Sequence, residues 1–407
     1  MIGAGASGSV ATLTALNYGL NVITLEANKK VGVHTGSKID IIENIGIDHI
    51  IKELNLPVTG RSNISRWHSP NYNFELKSEI NDFFIKRGPD DDSFDIKNMH
   101  KAKDKGAQIL TNTHPIKFEW DKDNNVKQVI AKNNGKKIEI KPDFIIGADG
   151  VNSNVSQLSG LSKTEQLVGE FQAYGVLGID FNLPTEITHV FFDRTIAPGG
   201  YVFTVKNGDK NCVLGIGLDP LLTNKTPKEH YQKLKLHQTI SKILNNAKIR
   251  SNFCGYGKFG LLKNRAIGNI MLVGDAGRLL DPLFGFGLKQ AILSGHAAAN
   301  VCKSVKESTA QKQPCKEYES SISPLINEIK LNLFLRKSYR KINNQDIDAI
   351  VKILADIQEE GLTLDYLFKR NNRILLKHIF KNGKRSTLMF LKAFPNIAEY
   401  FLKIHLL

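Results

Sequence analysis

The 407 residues carry 41% hydrophobic and 23% charged side chains, the balance of a folded protein with room for two or three domains and not of a disordered one. No apolar run reaches the roughly 18–20 residues that span a bilayer, and no secretory leader is expected ahead of the glycine-rich opening. The net charge of +15 admits nucleic acid, an anionic membrane surface or a general compositional bias toward lysine. After Leu331 the Lys and Arg residues outnumber Asp and Glu about two to one, interleaved with Leu, Ile and Phe as on a basic amphipathic face and not as on a nucleic-acid arm.

Only Met1-Ile2 precede Gly3, so the buried strand that a dinucleotide-binding unit places before its glycine loop is expected to be cut short. Ser7 to Tyr18 reads as a small-residue helix and Asn21–Glu26 as the next parallel strand. Residues 37–56 read as a helix-rich connection, and Asn73-Phe74-Glu75-Leu76 alternates like a strand. Ser93–Gly106 is a helix with a glycine stop, followed by a strand at Ala107–Leu110. Phe118–Trp120, Val126–Ala131 and Lys137–Ile140 form a meander with an Asn-Asn-Gly turn, and Phe144–Gly147 is a short buried strand. Residues 166–218 give several antiparallel strands, with a turn at Asn207-Gly208. Ile270–Gly274 returns to the buried style, Leu288–Val305 is a helix, and the chain beyond 315 is helical. Cys212, Cys254, Cys302 and Cys315 lack CxxC or zinc-like spacing, so free thiols, a reducing cytoplasm and no metal site are expected.

Gly3, Gly5 and Gly8, with Ala6 and Ser7 between them, spell G-x-G-x-x-G before a helix. The glycines permit a tight turn, close approach of a pyrophosphate and close packing of helix on strand. Glu26, followed by Ala27, closes the next strand where a carboxylate can bond ribose hydroxyls. A second match at Gly255–Gly260 has no small-residue helix after it and reads as a loop. Asp149-Gly150 and Gly274-Asp275 each follow a buried strand, at the sheet edge where open α/β sheets bind ligands. Asp275 is placed to bond a ribityl hydroxyl, and Pro282, Gly285, Gly287 and Leu288 lead backbone N–H groups toward a flavin ring. For either aspartate alone, turn formation or helix capping is an equal alternative.

Together these blocks resemble the FAD-binding domain of p-hydroxybenzoate-hydroxylase-like flavoproteins, and within that group the geranylgeranyl reductase family. Gly274–Gly295 is similar to that family's GDAAG…P…GxG…A…SG block, and Arg87-Gly88-Pro89-Asp90 to its connection into the first-domain helix. The family's cavity motif is Y-x-W-x-F-P, eight residues, then G-x-G. Tyr201, Phe203, Val205, Lys206, Gly215 and Gly217 keep its spacing, with Trp, Phe and Pro replaced. Many members carry a cysteine after the ribose-binding acid; here His34 is the nearest reactive side chain.

The resemblance implies an α/β fold: a glutathione-reductase-like FAD-binding Rossmann domain (1–55, 94–164, 256–310), an inserted antiparallel-sheet substrate domain (56–93, 165–255) and a helical C-terminal region (311–407). It implies a reductase that saturates double bonds of geranylgeranyl or other isoprenoid chains of archaeal-type membrane lipids. The alternative is an FAD-dependent monooxygenase of an aromatic or isoprenoid substrate. Tyr201, Phe203 and His34 are the catalytic expectations, with Tyr201 and His34 as proton donors. Tyr201, Phe203, Val205, Gly215 and Gly217 are expected to line the substrate cavity. The electron donor is NAD(P)H or ferredoxin, and the expected location is cytoplasmic, peripheral at the inner membrane face.

Overall fold

Short β-branched runs and small-residue helices build the first of two units into which the chain divides. The computed structural model describes residues 1–184, 187–207, 211–309 and 312–359. Unit one comprises Met1–Val58, Ile85–Gly169 and Tyr256–Lys330; unit two comprises Thr59–Phe84, Glu170–Gly255 and the described part of Leu331–Leu407.

In unit one, Ile23–Leu25 pairs in parallel with Gln108–Leu110, and Ile145–Gly147 pairs in parallel with Ile270–Leu272. Ile2 joins the two pairs through parallel bridges to Leu25 and Gly147. The central position of the sheet is thus held by a single paired residue. One face of this sheet, including Ile2, Leu25 and Ile145, packs against Phe118 and Val129 of the meander Thr113–Trp120, Val126–Asn133 and Lys136–Ile140. The other face buries Ile146, Met271 and Val273 with Ala11, Ala298 and Tyr318. Helix Ala6–Asn17 can be sheathed because its side chains are small: a methyl group on Gly295 of helix Leu288–Glu307 would lie 2.4 Å from the Ser7 carbonyl oxygen. The meander turn uses Asn134 and Gly135 at φ 46 and 86, the left-handed pair of a tight hairpin. Ser93 caps helix Phe94–Asp104 by accepting from the Ile96 N–H.

Two expectations need correction. The connection at 37–56 holds a strand, Lys38–Ile42, before the short helix Asp48–Glu53. Ile39 and Ile42 fit a helical period, but the β-branched run prefers a pleated surface. Gly255–Gly260 lies inside the long strand Lys248–Leu262. Its glycines mark close approaches and not a loop: a methyl on Gly257 would lie 2.2 Å from Leu280 Cδ2, and one on Gly260 2.3 Å from the Gln166 carbonyl oxygen.

Unit two carries a sheet in the order Lys248–Leu262, Thr164–Ile179, Asn211–Leu218, Tyr201–Asn207, Ile187–Phe191, Gly60–His68, Asn73–Arg87. Neighbours from Thr164–Ile179 through Ile187–Phe191 pair antiparallel. Ile187–Phe191 and Gly60–His68 run parallel, and Gly60–His68 pairs antiparallel with Asn73–Arg87. One face, with Val176, Val202, Leu214 and Ile216, buries against Leu234, Ile240 and Ile243 of the segment holding helices Pro227–Lys233 and Gln238–Leu244. The turn expected at Asn207-Gly208 and the chain beyond 359 lie outside the described residues. No described helix is long and apolar enough to cross a membrane.

That covered face also holds a pair of histidines, His68 Nε2 to His189 Nδ1 at 3.1 Å, with His68 stacked on Phe191 at 4.2 Å. Burial lowers both pKa values, helped at His68 by His189 and Arg66 and at His189 by Arg66, His68 to about 3 and His189 to about 4. Both are therefore neutral in the folded chain, whereas the unfolded chain protonates them near pH 6.5. Their stabilising contribution is complete above pH 6.5 and is lost as pH falls toward 4. For His189, only 6% exposed, the loss at about pH 5 is on the order of 2 kcal/mol. Urea unfolding followed by fluorescence at pH 7.5 and pH 5 measures it. His189→Gln is expected to flatten this dependence, and an unchanged pH slope in that variant would refute the assignment.

Candidate functional site

Three sequence-distant loops meet in unit one. A methyl on Gly3 (φ +99) would lie 2.3 Å from the Ala148 carbonyl oxygen, which ties the first loop to Ala148-Asp149-Gly150. A methyl on Gly274 (φ +54) would lie 2.9 Å from Ser7 Oγ, which brings in the third loop. A methyl on Gly8 would lie 2.0 Å from the Gly3 carbonyl oxygen, so the turn and helix touch backbone to backbone. Gly5 differs: its φ of −72 is open to any residue, and no heavy atom of the described residues lies within 4 Å of where a methyl would point. Nothing in the protein requires glycine there. The open space leaves that backbone accessible to a ligand.

The acids at these loops have separate fates. Glu26, 8% exposed, accepts from the Ala4 N–H at 3.1 Å and from Asn28 N and Nδ2 at 2.9 and 2.7 Å, with Ala27 exposed beside it. Asp149 turns into its own loop, accepting from Ser153 Oγ at 2.5 Å and the Val155 N–H at 3.0 Å. Burial pushes its carboxyl up, and those bonds oppose the rise. It braces the start of helix Asn154–Leu158, the capping role that sequence alone could not separate from ligand binding. Asp275 is half-buried; burial raises its carboxyl, while the charges of Arg87 and Lys38 hold it down.

Helix Leu288–Glu307 starts at Gly287 without a side-chain cap, so the N–H groups of its first turn stay open toward the site. Its stripe Gly287, Gln290, Ala291, Ser294 faces the Gly274-Asp275 turn. A methyl on Gly287 would lie 3.5 Å from Asp275 Oδ1, that on Gly274 3.6 Å from Ala291 Cβ, and Ser294 Oγ accepts from the Gly274 N–H at 2.9 Å. Gln290, on the same stripe, is 1% exposed, and neither its Oε1 nor its Nε2 has a hydrogen-bond partner among the described residues. A buried amide left unbonded costs a few kcal/mol, so a bound group is the natural partner. Gln290 was invisible to motif reading, because a glutamine on a helix reads as surface. The turn before the helix is braced by Asp281, whose oxygens accept from the Leu283 and Phe284 N–H groups, and Gly285 closes it at φ +76 behind Pro282.

Arg87 underpins this end of unit one. Its Nε and Nη2 donate to Asp95 at 2.7 and 2.8 Å, and Asp40 lies 3.7 Å from Nη1. Burial would lower the guanidinium, but Asp95, Asp40 and Asp275 outweigh it. Gly32 packs on the same connection, since a methyl there would lie 2.2 Å from the Gly88 carbonyl oxygen. His34 on that segment is exposed.

The remaining expected site residues belong to unit two. Tyr201 pairs with Gly217 and Phe203 with Gly215, so Tyr201, Phe203 and Val205 share one sheet face with both glycines. A methyl on Gly215 would lie 2.3 Å from Phe203 Cζ, and one on Gly217 1.9 Å from Phe171 Cζ. The glycines exist to seat aromatic rings. Trp67–Phe74 and Trp67–Phe192 are 6.0 and 5.1 Å apart, Phe192–Tyr201 5.9 Å and Tyr201–Phe203 6.1 Å, which makes a continuous aromatic face. Trp67, Phe74, Phe171 and Phe192 were missed, since they come from strands far apart in sequence. A separate cavity of about 150 Å³, bordered by His68, Asp193 and His237, lies on the other side of the sheet.

Residues 1–330 match the model of the FAD binding domain family. A digeranylgeranylglycerophospholipid reductase of Methanosarcina acetivorans is 26% identical over 405 residues, covering 95% of this chain and 97% of that protein. Among solved structures, a geranylgeranyl bacteriochlorophyll reductase-like protein of Thermoplasma acidophilum superposes with a TM-score of 0.77 at 21% identity, covering 96% and 98% of the two chains. A triple mutant of the flavin-dependent brominase Bmp2 gives 0.70 at 18% identity, over 90% and 96%. The last two likenesses speak for the fold alone.

Proposed function

This chain belongs to the FAD-binding domain family, and from that premise we propose that it saturates carbon–carbon double bonds in the geranylgeranyl chains of archaeal-type membrane glycerophospholipids. It is an FAD-dependent oxidoreductase, and the empty space at Gly5 and the unbonded Gln290 amide both fit that cofactor. The observation that carries the substrate reading is the aromatic face around Tyr201 in unit two, a largely buried apolar lining suited to a long apolar chain and not to a charged one. The relatives named for the same reaction support it.

In this reading Gly3, Gly5, Ala6, Ser7 and Gly8 hold the pyrophosphate at the start of helix Ala6–Asn17. Glu26 takes the ribose hydroxyls, and Asp275 with the open N–H groups after Gly287 orients the ring. The chemistry the cofactor supplies is two-electron reduction. An isolated alkene is unpolarised, so the protein's share is positioning, which Tyr201, Phe203 and Val205 provide by holding the chain. Tyr201 and His34 are the two groups proposed to deliver the proton. NAD(P)H or ferredoxin supplies the electrons.

The test is anaerobic. Protein loaded with reduced FAD is incubated with geranylgeranyl glycerophospholipid, and the lipid is analysed by mass spectrometry. A gain of two hydrogens per saturated bond is expected, and Tyr201→Ala and Phe203→Ala are expected to lower turnover at least about tenfold through lost positioning. Oxygen incorporation in air, with no anaerobic hydrogen gain, would establish the hydroxylase alternative instead.

A further inference from the structure

Unit two exposes three leucines beside a cluster of lysines, on a segment that neither aromatic face nor flavin loops use. Leu221 is 67% exposed, Leu222 40% and Leu236 87%, the last being the most exposed large apolar side chain among the described residues. Between Leu221 and Lys242 the sequence holds five lysines (225, 228, 233, 235 and 242) and a single acid, Glu229. All five lysines are exposed. Glu229 faces its own helix, accepting from Thr226 N and Oγ1 at 2.8 and 2.7 Å in a capping box, and its one charge is shared between Lys225 and Lys233, so the five lysines keep a large positive excess.

The segment is short and braced, and all of these side chains leave the face that packs on the sheet. Thr223 Oγ1 bonds His230 Nε2 at 3.0 Å, which folds the Leu221-Leu222 loop back onto helix Pro227–Lys233. Pro227, His230 and Leu234 point inward, and Lys228, Gln232, Lys233, Lys235 and Leu236 point out. Lys225 approaches Lys233 closely enough to hold its ammonium below the ordinary lysine range. Two like charges held together are a standing demand for an anion, and bare leucines next to them ask for an apolar phase. A protein partner would satisfy the leucines, but anionic lipid satisfies both at once, with side chains at the depth of the headgroups and acyl boundary.

We infer that the segment Leu221–Lys242 docks the protein on an anionic bilayer, with Leu221, Leu222 and Leu236 entering the interface and the lysines meeting lipid phosphates. The inference deepens the reading given above, since the proposed lipid substrate resides in a bilayer, and it locates a contact in the segment Leu221–Lys242.

Flotation of the full FAD-loaded chain with vesicles tests it. The parent is expected to float with phosphatidylglycerol vesicles, to stay behind with phosphatidylcholine alone, and to be released by high salt. Leu221→Ser with Leu222→Ser and Leu236→Ser, and separately Lys225→Glu with Lys228→Glu and Lys233→Glu, are each expected to cut the bound fraction at least about tenfold. Lys136→Glu with Lys137→Glu and Lys141→Glu, an exposed set in unit one, is expected to float like the parent. A parent that fails to float, leucine variants that float unchanged, or binding of duplex DNA in place of vesicles would each overturn the inference. Reduction of detergent-dispersed lipid separates the two ideas. The variants are expected to keep it, and its absence from the parent sinks the reductase reading while leaving docking intact.

Discussion

Gly5→Ala is expected to leave the apoprotein as stable as the parent while removing most of its flavin; Gly8→Ala is expected to lose both. The two glycines sit in one loop but answer to different neighbours. At Gly8 a methyl group meets the Gly3 carbonyl oxygen at 2.0 Å and Ala148 Cβ at 3.1 Å. Those are the backbone of the turn and the side chain of the second loop, so relief requires moving the loop itself, at about 1–3 kcal/mol. At Gly5 the backbone is extended, with φ −72 and ψ −167, and the methyl points into space free of protein. Alanine there costs the apoprotein no more than about 0.5 kcal/mol as a poorer helix cap. The measurement is flavin absorbance per chain after purification, together with urea unfolding of the stripped protein. A Gly5→Ala protein that retains stoichiometric flavin would show that no ligand lies against that backbone.

The contrast between these glycines also shows what was legible from residues alone. G-A-G-A-S-G before a small-residue helix can be read because local geometry dictates it: turn, close approach and helix packing are decided within a few residues. Asp149 could not be resolved, since an aspartate after a buried strand serves a ligand or its own helix equally well, and the bonds to Ser153 and Val155 that show the second role depend on how the loop closes. The stretch Lys38–Ile42 was misread because an apolar spacing of three satisfies a helix and a strand with one irregular step. Gly255–Gly260 misled in the opposite sense, since its glycines accommodate Leu280 and the backbone of Gln166, which lie far away in the sequence. The aromatic face depended on strand order: Tyr201 and Phe203 carry a spacing signal, but Trp67 joins them only because Gly60–His68 runs parallel beside Ile187–Phe191. Register is a tertiary decision.

Arg87→Leu is expected to destabilise unit one by about 3–5 kcal/mol, the usual consequence of stranding one partner of a buried ion pair. Asp95 is 0% exposed and accepts both Arg87 nitrogens and the Gly88 N–H at 3.0 Å. With the guanidinium gone, that N–H is the one hydrogen-bond donor left to Asp95 among the described residues. The pair also fixes the connection on which Gly32 and the segment after Glu26 rest, so flavin retention falls along with stability. Replacing both members, Arg87→Leu with Asp95→Leu, removes the stranded charge and is expected to recover part of the loss, because an apolar pair avoids the desolvation that the ions require. Urea unfolding read from Trp120, the unit-one tryptophan, in a Trp67→Phe background measures both variants. If the single variant unfolds within about 1 kcal/mol of the parent, Asp95 has found another donor and the pair is not what anchors this loop. If the double variant is as unstable as the single, the loss belongs to packing around the long arginine stem and charge is the lesser part.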